Sequence, residues 1–328
     1  MDSSQKIALS ISVIIPCKNE EAYIGSCIGA LLKQKEIYPE LEIIVVDNGS
    51  TDRTAEIVGS FKSGIKVFHL ANVTISELRN YGVNKSKREL LAFIDADVEV
   101  GLDWYANVLN SLTRLEKRGL DLRNIVTGST YAIPDESTWV ERVWYNQLTI
   151  RDRKKNNYIN GGNLIIHREL FNEIGGFNPG YATGEDVKIC QDAISKGGKI
   201  IKDISINSVH HGYPKTLRMF FRRELWHGIG MRQNLLTPWR SRDLLYAIYN
   251  IAVVVLSSVV YCSYRHGHFL VLAFGLLSVP PLIFSMTRIS GRANHLIPLA
   301  LLFFIYGLAR SSCLVDIVIK ATRRNQKT

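Results

Sequence analysis

The sequence predicts an α/β domain with a mainly parallel central sheet, followed by a C-terminal membrane helical region. Three observations predict it. Over roughly the first 210 residues, short β-rich runs alternate with helical patterns, the signature of βα units. Several of those runs are almost continuously apolar, as strands covered on both faces are. Residues 244–315 contain no Asp, Glu or Lys at all. With 328 residues, 46% hydrophobic and 21% charged, the chain is long enough for one ordinary α/β domain and something smaller. The same composition excludes a disordered chain, a collagen repeat and a small disulfide scaffold.

The expected strands are residues 11–15, 41–46, 66–69, 90–94, 125–128, 164–166 and 200–206. The first, second and fourth are the apolar runs that both faces of a sheet would cover. A helix is expected over 21–33, where Ile24, Ile28, Leu31 and Leu32 share one face. Another starts at the capping box Thr74-Ile75-Ser76-Glu77 and runs to Lys85. No internal repeat or low-complexity tract interrupts the pattern.

After Pro214 the pattern changes. Leu217, Phe221, Leu225 and Ile229 recur every four residues, joined by Phe220 and Trp226 and surrounded by Arg218, Arg222 and Arg223. Residues 214–241 therefore read as an amphipathic basic helix for a membrane interface, with packing on the protein itself as the alternative. Three apolar segments follow, 244–261, 269–286 and 296–319. Eighteen helical residues extend about 27 Å, close to the hydrocarbon thickness, so the first two are expected to span despite Pro280-Pro281. The third carries Arg310 and Asp316 and spans, re-enters or lies flat. Arg240 and Arg242 before the first span, with Arg288 and Arg292 after the second, place those ends and the N-terminal domain in the cytoplasm. The basic tail (Lys320, Arg323, Arg324, Lys327) favours the same side, which three complete spans would forbid.

The net charge is +10, and residues 244–328 contribute +7 of it from eight Lys/Arg and one acid, Asp316. No dense basic run suits nucleic acid, so nucleic-acid binding is not expected. Residues 1–5 lack a basic-then-apolar stretch, so no cleaved signal peptide is expected. The five cysteines are odd in number, scattered and without CxxC spacing. They read as reduced, buried cytoplasmic thiols.

Chemistry is expected from acids at the C-terminal ends of strands, the edge where open α/β sheets bind ligands. Asp47 ends the second strand before Asn48-Gly49-Ser50. Asp95-Ala96-Asp97 ends the fourth. Glu185-Asp186 follows Gly184 at a helix start. Singly, each has a plain explanation: Asp47 as turn chemistry, Asn19-Glu20-Glu21 as a helix cap, the D-x-D as solvated acids. Together they suit Mg²⁺ or Mn²⁺, a diphosphate and a base, because hard cations take carboxylate and phosphate oxygens. A carboxylate at a helix N-terminus is favoured in its ionised form.

The ordered set Ile14-Ile15-Pro16-Cys17-Lys18-Asn19-Glu20-Glu21, Val46-Asp47-Asn48-Gly49-Ser50-Thr51-Asp52, Arg79-Asn80-Tyr81-Gly82, Asp95-Ala96-Asp97 and Gly184-Glu185-Asp186 resembles the family 2 glycosyltransferases with a GT-A fold. The likeness covers roughly residues 9–230. It implies a catalytic domain over 1–213, the interface helix over 214–241, and a membrane region of two to three helices with a basic tail over 242–328. It also implies an inverting transferase that uses a nucleotide-diphosphate sugar and Mn²⁺ or Mg²⁺. Pro16, Glu20 and Asp47 would line the nucleoside pocket, with Arg79 near the nucleotide and its phosphates. Asp95 would face the ribose or sugar, and Asp97 the metal, with Asp95 and one of His210 and His211 beside it. Gly161 and Gly162 resemble the small-residue loop that admits the donor sugar. Asp186 would deprotonate the acceptor hydroxyl with Glu185 in support. Alternation from Ile204 and Ile206 favours His210 over His211.

Processive cellulose- and chitin-synthase-like members carry Q-x-x-R-W. Here the nearest fit is Arg222-x-x-Leu225-Trp226, which lacks both the Gln and the Arg, so single-sugar transfer is expected. Arg222, Arg223 and Trp226 are candidates for phosphate or lipid contact. The implied reading is a multi-pass enzyme of the inner (cytoplasmic) membrane, of the bacterial polysaccharide or glycolipid type, with a cytoplasmic catalytic domain. Its expected acceptor is membrane-associated and polyprenyl-linked. Direct transfer to polyprenyl phosphate, as in dolichol-phosphate mannose synthase-like enzymes, is the alternative. A sugar-nucleotide pyrophosphorylase would place a Gly-rich basic loop where this chain has Pro16-Cys17-Lys18-Asn19-Glu20-Glu21. An inactive membrane scaffold would not need the full set of acids.

Overall fold

The computed structural model describes residues 9–153, 157–181, 183–235, 237–289 and 293–325. Residues 1–5, Arg292 and Lys327 lie outside the described residues, as do the side chains of Arg240, Arg323 and Arg324. Nine strands are described: β1 (Ile11–Cys17), β2 (Glu42–Asp47), β3 (Lys66–His69), β4 (Leu90–Ile94), β5 (Val98–Val100), β6 (Ile125–Gly128), β7 (Asn163–His167), β8 (Lys199–Lys202) and β9 (Ser208–His210). The helices are α1 (Ile24–Ile37), α2 (Thr54–Ser60), α3 (Ile75–Lys85), α4 (Trp104–Lys117), α5 (Trp139–Arg153) and α6 (Arg168–Glu173), then α7 (Glu185–Ser195), α8 (Leu217–His227), α9 (Arg242–Tyr264), α10 (His268–Arg288) and α11 (Leu296–Asn325). By packing, the chain divides into Met1–Pro134 with Lys155–Gly212, and Asp135–Lys154 with Tyr213–Thr328. The expected 1–213 domain therefore lacks α5, which belongs to the second unit.

In the first unit seven strands form one sheet in the order β3-β2-β1-β4-β7-β6-β8. β1, β2, β3 and β4 pair in parallel, as do β6 and β8, while β7 runs antiparallel to both its neighbours. Every residue of β1, β2 and β4 is buried, as their nearly continuous apolar runs predict. Successive side chains leave opposite faces of the sheet. Ile11, Val13 and Ile15 meet α1 and α4 on one face, and Ile14 joins Leu91, Phe93, Phe171 and Phe177 on the other. α3 starts at the expected capping box, with the Glu77 amide donating to Thr74 Oγ1 and the Thr74 amide donating to Glu77 Oε2.

Two expectations change. α1 starts at Ile24 instead of Glu21, because the amides of Asn19, Glu20 and Glu21 donate to Ser50 Oγ, Thr54 Oγ1 and Asp52 Oδ2. These residues stitch the β1 loop to the β2 loop; the Glu20 carbonyl accepts from the Ile24 amide at 2.9 Å, and no side chain caps α1. The strand expected over 200–206 ends at Lys202, where Asp203 accepts from Ser205 and Arg114 and turns the chain. The chain then forms β9, which pairs with β5 in a separate two-stranded sheet. Strands of three residues are too short to show an alternation.

In the second unit, α9, α10 and residues Leu296–Lys320 of α11 are each long and apolar enough to cross a membrane. Twenty-three residues of α9 rise about 34 Å, enough for the hydrocarbon layer. Pro280 and Pro281 lie within a continuous α10. Cys262 is exposed on α9, contrary to the expectation of five buried thiols, whereas Cys17, Cys27, Cys190 and Cys313 are buried. The expected interface helix is shorter than 214–241: after His227 the chain continues as 3-10 turns. Its deepest side chains are Phe220 and Glu224, and Leu217, Phe221 and Leu225 are only partly buried. Glu224 explains the tolerance of Arg310 in α11, since Oε2 accepts from Nη2 at 2.8 Å and the Glu224 carbonyl accepts from Nη1 at 2.6 Å.

Phe93 stands edge-on to Phe177 with ring centroids 4.8 Å apart and stacks on Phe171 at 5.7 Å. Truncating it empties the space between the sheet and these rings. Phe93→Ala is expected to lower the unfolding free energy by about 3–5 kcal/mol, read as a lower Tm of the detergent-purified chain.

Candidate active site

All the acids singled out in the first unit gather beyond the C-terminal ends of β1, β2 and β4, and at the start of α7. The topology explains this. β1, β2 and β3 step outward with α1 and α2 on one face, and α3 then returns over the other face to β4 beside β1. Such a reversal opens a crevice at the carboxyl edge.

Asp47 is buried at the end of β2. It accepts from the Ser50 amide at 3.2 Å and Ser50 Oγ, and meets His69 Nδ1 at 3.3 Å. Turn chemistry thus uses much of its hydrogen-bonding capacity. Pro16 is buried next to it in β1, in register with Val46. Glu20 is partly buried on the joined loops, and its carboxyl is pushed up to about 8 by burial first, then by Asp97 and Asp95. Crowding of three carboxylates here creates demand for a cation.

Asp97 obtains its partner from sheet register. β5 and β9 are antiparallel with Val98 opposite His210, and the His211 amide donates to the Asp97 carbonyl at 2.8 Å. His210 Nε2 consequently lies 3.4 Å from Asp97 Oδ2. Of the four side chains expected at a metal, Asp97 and His210 face each other. His211 instead meets Glu99 Oε2 at 3.1 Å, and Asp95 Oδ1 accepts from Arg79 at 2.7 Å. Two donors on one octahedral divalent ion at about 2.1 Å stand about 3.0 Å apart, so the Asp97–His210 pair fits one ion. Among the described residues no cluster of three or more His, Cys, Asp or Glu forms a closed cation cage. A hard ion here would complete its shell with phosphate and water.

Arg79 is 1% exposed, with Nη2 on Asp95 and Nη1 donating to Glu185 Oε1 at 2.8 Å. Gly184, at φ 81°, lets the chain turn into α7, so Glu185 points inward. Asp186 is partly buried; its Oδ2 accepts from the Gly161 amide at 3.3 Å and Oδ1 from the Val187 amide at 2.8 Å. Burial and, next, the Glu185 charge push its carboxyl up to about 6 against the pull of Arg79.

The family model of glycosyl transferase family 2 matches residues 12–175, half of the chain. The chain belongs to family 2 of the glycosyltransferases. The chain is 29% identical over 222 residues to glycosyltransferase AglE of Haloferax volcanii, covering 65% of this chain and 71% of that one. It is 36% identical over 90 residues to the uncharacterized glycosyltransferase EpsJ of Bacillus subtilis, covering 26% of each. The mannosyltransferase PcManGT of Pyrobaculum calidifontis, solved with GDP-Man and Mn²⁺, shares the fold. Its TM-score is 0.60 at 17% identity, over 93% of this chain and 87% of that one. The fold is therefore the GT-A fold, and the chain is a glycosyltransferase.

In this family 2 enzyme the two loop glycines answer first to the protein's own side chains. A Cβ on Gly161 would lie 2.8 Å from Arg79 Nη2, and one on Gly162 would strike Asp95 Oδ2 and lie 2.7 Å from the Tyr131 hydroxyl. Tyr131 carries no sequence signal, yet it accepts from the Gly162 amide at 2.8 Å and its ring lies 5.0 Å from that of His210. Pairing of the neighbouring Ala132 with β9 puts it there. Glu99, likewise missed, fixes His211. Arg222, Arg223 and Trp226 lie on α8 in the second unit. Arg223 donates to His227 Nε2 at 3.3 Å and covers the Tyr213 ring, while Arg222 and Trp226 are exposed.

Tyr131→Phe leaves the Gly162 amide without its acceptor, and a stability loss of about 1–3 kcal/mol in thermal unfolding is expected. Gly162→Ala displaces Asp95 and is expected to lower turnover at least about tenfold in a nucleoside-diphosphate release assay.

Proposed function

We propose that this glycosyltransferase moves one sugar from a nucleotide-diphosphate sugar to a membrane-associated, polyprenyl-linked acceptor, with inversion at the anomeric carbon. What carries the reading is that a carboxyl raised to about 6, Asp186, occurs on the same sheet edge as the Asp97–His210 donor pair. PcManGT holding GDP-Man and Mn²⁺ is in line with that donor class and cation. The acceptor hydroxyl attacks the anomeric carbon, its proton passes to Asp186, and the bond to the diphosphate breaks on the opposite side. A single displacement inverts the centre. Mn²⁺ or Mg²⁺ on Asp97 and His210 would neutralise charge gathering on the leaving diphosphate.

The second unit supports the proposed acceptor class. α9 and α10 expose apolar side chains such as Leu270, Val271 and Phe274, with Val271 72% exposed, and water does not stabilise such a surface. Arg242 at the start of α9 and Arg288 at the end of α10 favour a cytoplasmic side for both ends, and so for the catalytic unit. A catalytic unit on that side of the cytoplasmic membrane would meet cytoplasmic sugar nucleotides and lipid-borne acceptors.

Three tests apply to detergent-purified full-length protein with a panel of UDP-, GDP- and dTDP-sugars and source lipid extract. Asp97→Ala, or chelation of the metal, is expected to lower nucleoside-diphosphate release at least about 100-fold. Asp186 accepts a proton only when ionised, so turnover is expected to fall about tenfold per pH unit below about 6. Asp186→Asn is expected to remove that activity by about 100-fold or more. Near wild-type turnover by Asp186→Asn would favour a phosphate acceptor, which has no hydroxyl to deprotonate.

A further inference from the structure

Arg79 has the position of a coupler, not of a phosphate ligand. Both terminal nitrogens are committed to carboxylates, Asp95 at the end of β4 and Glu185 at the start of α7. The Phe177 ring covers one side, its centroid 5.1 Å from the guanidinium carbon. Gly161 packs so closely that a Cβ there would lie 3.1 Å from the same carbon. Only Nε lacks a hydrogen-bond partner among the described residues, and the side chain is 1% exposed. Reaching a diphosphate would require leaving the buried Glu185 and the partly buried Asp95 unpaired, an unfavourable exchange.

We infer that Arg79 is a positioning residue: its one rigid guanidinium locks the donor-side carboxylate Asp95 to the acceptor-side base Asp186 through Glu185 and the Gly161 backbone. The planar fork of an arginine holds two carboxylates at a fixed separation, which a lysine ammonium does not. Asp186 follows Glu185 directly, and its Oδ2 is held by the Gly161 amide. Arg79 thus touches the segments on both sides of the base. Among the described residues the charged groups facing Asp186 are Glu185 on its own helix and Arg79 from α3; one turn on, Cys190 is neutral, its thiol pushed up to about 12 by burial. The coupling presupposes the function proposed for Asp186.

The test uses the detergent-purified full chain and separates nucleotide binding from turnover. Binding is measured by calorimetry with GDP and with UDP in the presence of Mn²⁺. Turnover is nucleoside-diphosphate release from whichever of GDP-mannose, UDP-glucose and UDP-N-acetylglucosamine the wild type uses with lipid extract, recorded against pH. Arg79→Lys is expected to bind nucleotide within about threefold of wild type while turnover falls about 100-fold. A loss of nucleotide affinity as large as the loss of turnover would overturn the inference and make Arg79 a phosphate ligand.

Glu185→Gln preserves shape and a hydrogen bond to Arg79, so it serves even if the Arg79 variant does not fold. Removing that negative charge should move the acid limb of turnover down by about half a pH unit or more. An unmoved limb with wild-type turnover would overturn the coupling while Asp186→Asn remained inactive. Wild-type turnover by Asp186→Asn would instead remove the base, and the coupling with it.

Discussion

A fully buried guanidinium must have its counter-charges supplied by the fold, and Arg79 obtains two, 2.7 and 2.8 Å away. That requirement organises the site. It fixes where β4 releases Asp95, where α7 begins, and how near the Gly161-Gly162 backbone comes. Removing the guanidinium would leave both Asp95 and Glu185 without their cation, so the ends of β4 and α7 both depend on it. The arrangement also separates two environments a few residues apart. Asp95 and Glu185 remain paired with the Arg79 guanidinium, whereas Asp186, next in the chain, is desolvated with no direct ion pair among the described residues, and rises to about 6. In the proposed mechanism that asymmetry would supply a base poised near the working pH.

A second constraint lies at the rim. The loops after β1 and β2 exchange hydrogen bonds, from Asn19, Glu20 and Glu21 to Ser50, Thr54 and Asp52 and back from Thr51 to the Asn19 side chain at 2.8 Å. The acidic edge is therefore held by a stitched loop pair, a preorganised setting for recognising a charged ligand. Repulsion among Glu20, Asp95 and Asp97 remains built into it, and a divalent cation is the species that such crowding favours.

The sequence located much of this because strand ends are local features. A continuous apolar run followed by Asp and a turn marks the carboxyl edge at Asp47 and Asp95, and Gly184 before Glu185-Asp186 marks a helix start. What escaped depends on distant pairing. The sequence favoured His210 through an alternation from Ile204 and Ile206, which lie outside any strand. What sets His210 against Asp97 and His211 against Glu99 is the register of three-residue β5 and β9, which leave no periodic trace of their own. Tyr131 reaches Gly162 by joining β9, which no motif encodes. The allegiance of α5 was equally hidden: Val140, Val143 and Trp144 form a helical stripe, but only tertiary contacts show that it packs with Phe220 and Leu302. Glu224, buried on α8, has a role that no local pattern marks. It is the counter-ion of Arg310.

The most direct measurement is a structure of the full-length protein with GDP or UDP and Mn²⁺, using anomalous scattering to locate the ion. The account expects Mn²⁺ within about 2.2 Å of Asp97 and His210, with Arg79 still held between Asp95 and Glu185. An ion bound away from Asp97 and His210, or an Arg79 turned onto the diphosphate, would contradict it.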